Sequence, residues 1–182
     1  MITVIAGTNR EGSKTGRVAR YVAGLHRESG EETVLLDLTR LPPECLSPTV
    51  YATKPAAFEQ AFVEPVLRAD GLVIVIPEYN GGFPGVMKLF IDLLPFPEAF
   101  EKRPTCYIGL AAGQWGALRS VEQLQMIFAY RNAFNFNERV FLPQVSDLFP
   151  EEGDPGDPKL AERLQKQARH FRLFAKTLRG LQ

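Results

Sequence analysis

The chain has 182 residues, enough for one domain with a substantial core, and its 21 lysines and arginines balance 21 aspartates and glutamates. A formal net charge of zero argues against a dedicated nucleic-acid-binding protein, which usually carries a basic excess. The chain starts directly with a strand pattern and has no apolar run near the ~20 residues of a membrane span, so we expect a cytoplasmic protein without a membrane segment.

The first strand is predicted at Ile2 to Ala6, and a polar glycine loop, residues 7–16, leads into a helical pattern that ends near Ser29. A strand, a loop and a helix in this order offer free backbone N–H groups to an anion. The loop adds three hydroxyl groups and two cations, those of Thr8, Ser13, Thr15, Arg10 and Lys14. Two interpretations are open, a phosphate-binding loop or a polar turn with capping hydroxyl groups, because the Lys-Ser/Thr pair of a P-loop is absent.

The next two strands are predicted at Thr33–Asp37 and Leu72–Ile76. Between them lie an irregular stretch to about Pro55 and a helix, residues 56–68, marked by apolar residues at helical spacing. The unbroken apolar run from Leu72 to Ile76 suits a strand that is covered on both faces of a parallel sheet. Two helical crossovers between such strands predict right-handed β-α-β units with helices on both faces of the sheet.

The loop that follows this strand, residues 77–85, combines an acid, a phenol, an amide and two adjacent glycines. Open α/β sheets bind their ligands at the carboxyl ends of strands, and glycine lets the backbone approach a flat ligand closely. The loop leads into a helix predicted from Pro84 to Leu94, since proline suits the first helical turn.

The second half of the chain predicts two more strands, at Thr105–Ala111 and Val140–Val145, and Pro143 suggests an edge position for the latter. A third candidate ligand loop, residues 112–116, precedes a helix at about 117–130, and a loop at 151–158 precedes a closing helix at about 160–178. Cys45 and Cys106 form no C-x-x-C motif, so neither a metal site nor a redox dithiol is predicted. The two histidines, His26 and His170, are predicted to be structural or surface residues.

A strand order of 2-1-3-4-5 would bring the loops after strands one, three and four together. We therefore predict a flavodoxin-like three-layer sandwich with a five-stranded parallel sheet. Its first loop would bind a phosphate, and the other two would face each other across a slot that suits a planar ring. FMN has that shape. A dinucleotide site is less well supported because Gly-x-Gly-x-x-Gly is absent, although Asp37 could supply the required acid.

Three motifs of this chain resemble those of the NADPH-dependent FMN reductases and their quinone and azo reductase relatives. The family patterns are G-S-x-R-x-x-S-x-N-x-x-L-A, P-E-Y-N-G-S-x-P-G-x-L-K, and G-G-x-x-G-G-x-R followed by Q-L. The matching segments are Gly7 to Ala19, Pro77 to Lys88, and Ala112 to Arg119 with Gln123 and Leu124. The resemblance extends from Ile2 to about Val145.

The resemblance implies an oxidoreductase that passes hydride from NADPH or NADH through FMN to a flavin, a quinone, an azo compound or a similar small acceptor. No separate catalytic acid or nucleophile is expected, because the redox chemistry belongs to the flavin. The implied phosphate contacts are Thr8, Arg10, Ser13 and Thr15. The implied isoalloxazine contacts are Pro77, Glu78, Tyr79, Asn80, Gly81, Gly113, Gln114, Trp115 and Gly116.

Three positions depart from the family patterns. Thr15 replaces asparagine, and Ala112 and Ala117 replace glycines, which restricts the backbone of the third loop. Trp115 has three possible roles: stacking on the flavin, shielding the nicotinamide slot, or packing at a subunit contact. Two other functions are open, a flavodoxin-type electron carrier and a flavin-free regulatory protein of the same fold.

Apolar residues off the core faces predict self-association. The helix from Pro84 to Leu94 is apolar nearly all round, and the following helix keeps Leu118, Met126 and Tyr130 off its core stripe. These surfaces predict a two-fold homodimer, as the resemblance also implies, or a dimer of such dimers.

Overall fold

The computed structural model describes residues 1–149 and 154–179, and in this part of the chain six strands form one parallel sheet. The strands are β1 (Ile2–Ala6), β2 (Thr33–Asp37), β3 (Gly71–Pro77), β4 (Pro104–Leu110), β5 (Phe134–Asn135) and β6 (Val140–Leu142). Their order is β2-β1-β3-β4-β5, and β6 also pairs with β4. The predicted strand order is confirmed with β6 as the predicted fifth strand, and β5 adds a sixth strand where five were predicted. Of the predicted loop at 151–158, residues 151–153 lie outside the described residues.

Helices connect the strands and cover both faces of the sheet. They are α1 (Lys14–Glu28), α2 (Ala56–Phe58), α3 (Glu64–Leu67), α4 (Gly85–Leu93), α5 (Leu118–Tyr130), α6 (Val145–Leu148) and α7 (Pro158–Arg179). A π-helical turn, Glu59–Val63, joins α2 to α3 where the sequence predicts a regular helix. Pro65, the second residue of α3, follows this turn and lacks the N–H that a regular α-helical ladder needs there.

Two separate cores lie on the two faces of β3. Val73 and Val75 face the layer of α1 and α7, where they pack with Val18 and Phe171. Leu72, Ile74 and Ile76 face the layer of α2 to α5, which buries Phe58, Phe62, Phe90, Leu124 and Phe128. The unbroken apolar run of this strand thus follows from burial on both faces, as predicted.

The strand predicted at 140–145 is shorter than expected. β6 ends at Leu142, because Pro143 has no N–H with which to continue the ladder, and Gln144 then takes a left-handed φ of 48°. The short strand β5 pairs with the other end of β4, so two separate pieces form this edge of the sheet. Neither β5 nor α6 was predicted from the sequence, since segments of two and four residues carry no usable periodicity.

Burial explains the cysteines and one histidine. Cys45 and Cys106 are both free and buried, and burial raises the pKa of the Cys106 thiol well above its ordinary value. His26 is buried in α1, where desolvation lowers its pKa from 6.5 to about 4. Among the described helices, none combines the length and the hydropathy that a membrane crossing requires.

Candidate cofactor site

A cavity of about 490 Å³ lies at the carboxyl ends of β1, β3 and β4. Its volume falls within the ~300–1,000 Å³ of small-molecule sites, and its position between β1 and β3 is the switch point of the sheet. The residues that line it come from both sides of this point: Arg10, Glu11, Gly12, Ser13, Lys14, Thr15, Pro77, Glu78, Tyr79, Leu110, Ala111, Ala112, Val145 and Ser146.

The first loop presents an anion-binding helix start to this cavity. Ser13 is the N-cap of α1, and its Oγ accepts a hydrogen bond from Gly16 N at 3.2 Å. The first-turn N–H groups of Lys14 and Thr15 have no acceptor within the helix, so they can donate to an anion. The guanidinium of Arg10 is exposed at the cavity and forms no ion pair among the described residues. The loop therefore has donors and positive charge where a phosphate would bind.

Lys14 has a different role from the one its position in the loop suggests. Its Nζ donates to the carbonyl oxygen of Phe149 at 2.7 Å, which ties the start of α1 to the end of α6. This contact spans 135 residues of sequence and could not be predicted from the loop alone. Arg10 is thus the better-placed cation for a ligand.

Two hydroxyl groups connect the first loop to the second. Thr8 is buried, and its Oγ1 lies 2.9 Å from the hydroxyl oxygen of Tyr79. The same Oγ1 accepts a hydrogen bond from Arg10 N at 3.2 Å. Thr8 therefore fixes both the backbone that carries Arg10 and the phenol ring that lines the cavity.

The second loop contains a tight turn that explains its Asn-Gly pair. Tyr79 and Gly82 exchange two backbone hydrogen bonds, of 2.8 and 3.1 Å. The two residues between them take left-handed φ values, 52° at Asn80 and 81° at Gly81. Such a turn favours asparagine followed by glycine, because both central residues need positive φ. Asn80 and Gly81 lie beyond the residues that line the cavity, and their contact with a flavin ring stays a prediction.

Glu78 has one oxygen with a partner and one without. Its Oε1 accepts a hydrogen bond from Arg119 Nη1 at 2.9 Å, whereas its Oε2 is buried and has no partner in the described part of the chain. A buried carboxylate oxygen without a donor is costly, so a ligand donor is expected near it. FMN carries suitable donors in its ribityl hydroxyls and ring N–H. The residues present therefore fit FMN, and their individual contacts with it stay predictions.

The third loop is farther from the cavity than expected. Gly113, Gln114 and Trp115 are exposed, and the residues of this segment that line the cavity are Ala111 and Ala112. Gly116 is buried with a φ of 55°, and a Cβ there would lie 2.9 Å from Pro143 N, so packing alone requires glycine. Ring contacts from residues 113–116 stay predictions.

The two alanines that replace glycines differ in conformation. Ala117 has a left-handed φ of 68°, a conformation that costs an L-residue roughly 1–2 kcal/mol, whereas Ala112 does not have a positive φ. The backbone restriction that the sequence predicts for alanine in place of glycine therefore applies at Ala117. Thr15 is buried in the first turn of α1 and lines the cavity, so the residue that replaces the family's asparagine still lies at the site.

Several lining residues were not among the predicted contacts. Leu110, Ala111 and Ala112 end β4 or follow it, and their place at a strand end is a signal that sequence reasoning could have used. Val145 and Ser146 belong to α6, which the sequence did not predict. No local pattern identified that short helix.

A second cavity, of about 440 Å³, lies at the amino-terminal side of the sheet. Two of its charged side chains, Asp70 and Arg103, are engaged within the protein. Asp70 pairs with the amino group of Met1 and with Arg179, and Arg103 donates to the carbonyl oxygens of Leu67, Ala69, Glu98 and Ala99. It therefore offers less to a ligand than the first cavity. Within residues 1–149 and 154–179, no group of histidine, cysteine and acidic residues could hold a metal ion.

Comparison with known proteins shows the family of the chain. The sequence model of the NADPH-dependent FMN reductase family matches residues 1–147. An NAD(P)H-dependent FMN reductase of Pseudomonas aeruginosa is 29% identical over 180 residues, which cover 97% of this chain and 95% of the relative. A quinone reductase of Escherichia coli is 29% identical over 177 residues, covering 95% and 94%.

Solved structures show the same fold. The flavoenzyme FerB of Paracoccus denitrificans, an NAD(P)H:acceptor oxidoreductase, superposes with a TM-score of 0.80 at 21% identity and covers 97% of both chains. The flavodoxin of Megasphaera elsdenii has a TM-score of 0.61 at 11% identity and covers 93% of this chain and 99% of its own. At these identities the likeness concerns the fold, and it agrees with the flavodoxin-like prediction.

Proposed function

This chain belongs to the NADPH-dependent FMN reductase family, and we propose that it takes hydride from NAD(P)H and passes it through bound FMN to a small acceptor such as a flavin, a quinone or an azo compound. The observation that carries the proposal is the cavity at the sheet's switch point, where a helix start and Arg10 lie at one end and Pro77 and Leu110 form an apolar wall. This arrangement suits a planar ring with a single phosphate.

The phosphate end of the proposed site is built by the first loop. Arg10, the Ser13 and Thr15 side chains and the first-turn N–H groups of α1 are its donors, and the Thr8 hydroxyl holds the loop. A charge-assisted hydrogen bond contributes about 1.5–3 kcal/mol, so a few of them suffice to hold a phosphate.

The ring end is built by the second loop. Pro77 and Tyr79 supply flat apolar surface, and Glu78 Oε2 is an acceptor for a ligand N–H or O–H. Asn80, Gly81, Gly113, Gln114, Trp115 and Gly116 complete the proposed set of ring contacts. When bound, FMN supplies the redox chemistry, so the protein's part is to orient the rings and exclude water.

The decisive experiment is the visible spectrum of the purified protein after loading with FMN and desalting, before and after anaerobic addition of NADPH. We expect a retained flavin band that bleaches promptly. A retained band that stays yellow with NADPH and with NADH would favour an electron carrier. No retained band would favour a flavin-free protein. Riboflavin is the matched control, since it lacks the phosphate that the first loop is proposed to bind.

We also propose that the protein is a homodimer, or a dimer of such dimers, through the α4/α5 face. This face comprises the exposed Phe96, Met126 and Tyr130 and the partly buried Val86, Leu89 and Ile127. Met126 and Tyr130 are 67% and 80% exposed, and large apolar side chains exposed together on such a face would favour association. The cytoplasmic location and the lack of nucleic-acid binding stay predictions, which cell fractionation and a nucleic-acid binding assay would test.

A further inference from the structure

Arg119 occupies an unusual position for a cation. It is the second residue of α5, at the end of the helix where the backbone dipole disfavours positive charge. Its Nη1 donates to Glu78 Oε1 at 2.9 Å, a contact between residues 41 positions apart. The ion pair therefore holds the guanidinium at the second loop, beside the proposed flavin site.

The ion pair presents its positive end to solvent. The Glu78 side chain is 13% exposed, whereas that of Arg119 is 54% exposed. A guanidinium has five N–H donors, and the bond to Glu78 is the one that Arg119 makes among the described residues. The remaining donors form a rigid fork of the kind that binds carboxylates and other oxyanions.

Exposed aromatic residues lie close in sequence to both partners of this ion pair. Tyr79 follows Glu78, lines the cavity and is partly exposed. Trp115 is exposed, and its carbonyl oxygen accepts a hydrogen bond from Leu118 N at 3.0 Å, in the turn that leads into α5. Arg119 is thus connected to two loops that offer aromatic surface for a flat ligand.

We infer that Arg119 selects, among planar acceptors, those that carry an anionic substituent such as a sulfonate or a carboxylate. The aromatic surface binds the ring, and the guanidinium donates to the substituent. Arg119 is therefore a specificity residue for the acceptor, and Glu78 is the residue that positions it. This inference rests on the proposed function, since it concerns the acceptor used at the same site.

The test compares two quinones with the FMN-loaded protein, 1,4-naphthoquinone and its 2-sulfonate. Variant-to-wild-type ratios of kcat/KM are used for each quinone, because the two differ in redox potential. In Arg119→Gln we expect kcat/KM for the sulfonate to fall about tenfold, the size expected for losing one charge-assisted hydrogen bond. We expect little change in kcat/KM for the neutral quinone. Arg119→Lys keeps the positive charge and is expected to retain most of the preference for the sulfonated over the neutral quinone. Added salt should weaken the preference in the wild type.

Arg68→Gln is the matched control. Arg68 forms an exposed ion pair with Glu32, 3.6 Å apart, and Arg68 lines the cavity at the opposite end of the sheet. Its replacement is expected to leave both quinones unaffected. Loss of both activities in parallel in Arg119→Gln, together with weaker FMN binding, would mean that Arg119 only braces the loop and would overturn the inference. Unchanged kinetics for both quinones would overturn it as well.

A binding measurement separates this inference from the proposed function. Calorimetric titration of the sulfonated quinone into oxidised, FMN-loaded protein requires no turnover. About tenfold weaker binding in Arg119→Gln supports the inference, even if NADPH fails to reduce the flavin. Equal binding by the two proteins contradicts it. Failure of NADPH to bleach the flavin contradicts the proposed function alone.

Discussion

The hydroxyl groups of Thr8 and Tyr79 lie 2.9 Å apart and connect the loop after β1 to the loop after β3. Because Thr8 is buried and also accepts a hydrogen bond from Arg10 N, a change in Tyr79 affects the backbone of the first loop. The two loops that are proposed to hold the phosphate and the ring of FMN therefore form one connected unit.

The first prediction concerns this connection. In Tyr79→Phe the aromatic surface remains, but the hydrogen bond to Thr8 is lost, which is worth about 1 kcal/mol. We expect FMN affinity to fall about fivefold, measured by the quenching of flavin fluorescence on binding. Tyr130→Phe, on the exposed face of α5, is the control and should bind FMN as the wild type does. Unchanged affinity in Tyr79→Phe would show that the hydroxyl pair does not support the site.

The second prediction separates two parts of the phosphate end. Arg10→Gln should weaken FMN binding about tenfold, leave riboflavin binding unchanged and leave stability unchanged, because the side chain is exposed and forms no ion pair among residues 1–149 and 154–179. Ser13→Ala should weaken FMN binding and also cost about 1 kcal/mol of stability in the apo protein, since it removes the N-cap of α1. Urea unfolding and FMN titration of both variants provide the comparison. Equal losses for FMN and riboflavin in Arg10→Gln would place the phosphate elsewhere.

The third prediction is a decline of stability in acid caused by His26. Burial lowers its pKa from 6.5 to about 4, so between these values the unfolded chain binds a proton that the folded protein does not. Stability should therefore be highest above pH 6.5 and fall by up to about 3 kcal/mol as the pH approaches 4. The measurement is urea unfolding of the apo protein from pH 4 to 7.5.

Two variants check this assignment. His26→Leu removes the titrating ring and should flatten the decline over this range. His170→Gln removes the other histidine and should leave the decline in place. His170 lies on α7, and its Nδ1 is 2.7 Å from Glu138 Oε2. A steep decline that persists in His26→Leu would assign the acid sensitivity to other groups.

The fourth prediction concerns association through the α4/α5 face. Tyr130→Glu would bring a charge into the proposed two-fold interface, so we expect the mass by light scattering to fall to the 20.3 kDa of one chain. Leu173→Glu, an exposed position on α7 in the other helical layer, should leave the mass of the wild type unchanged. A wild-type protein that is monomeric at micromolar concentration would contradict the proposed dimer.

Much of the fold was predictable because its signals are local. β1 and β2 were predicted at their observed bounds, and β3, β4, α4 and α5 within one residue of them. Buried parallel strands give unbroken apolar runs, and helices give a period near 3.6, so neither pattern needs distant partners. β5 and α6 were missed because elements of two and four residues are defined by what they pair with.

In the candidate site, too, local features were predictable from the sequence and long-range contacts were not. The types of residue in the first two loops, including the Asn80-Gly81 turn and the Ser13 cap, express local backbone requirements and were visible in the sequence. The contacts that the side chains make were not visible in the sequence. Lys14 bonds to Phe149 and Glu78 to Arg119 across long sequence separations, and the backbone at Leu142 and Pro143 leaves no room for a Cβ at Gly116.

The sequence by itself therefore determined most of the strands and helices and the place of the ligand loops, because periodicity, capping and turn chemistry act over a few residues. The tertiary structure alone decided which groups are free to act. It engaged Lys14 with a carbonyl, left Glu78 Oε2 buried without a partner in the described part of the chain, and exposed the guanidinium of Arg119. The physical reason is that a polar side chain takes whatever partner packing brings within hydrogen-bond distance, and packing is a property of the whole fold.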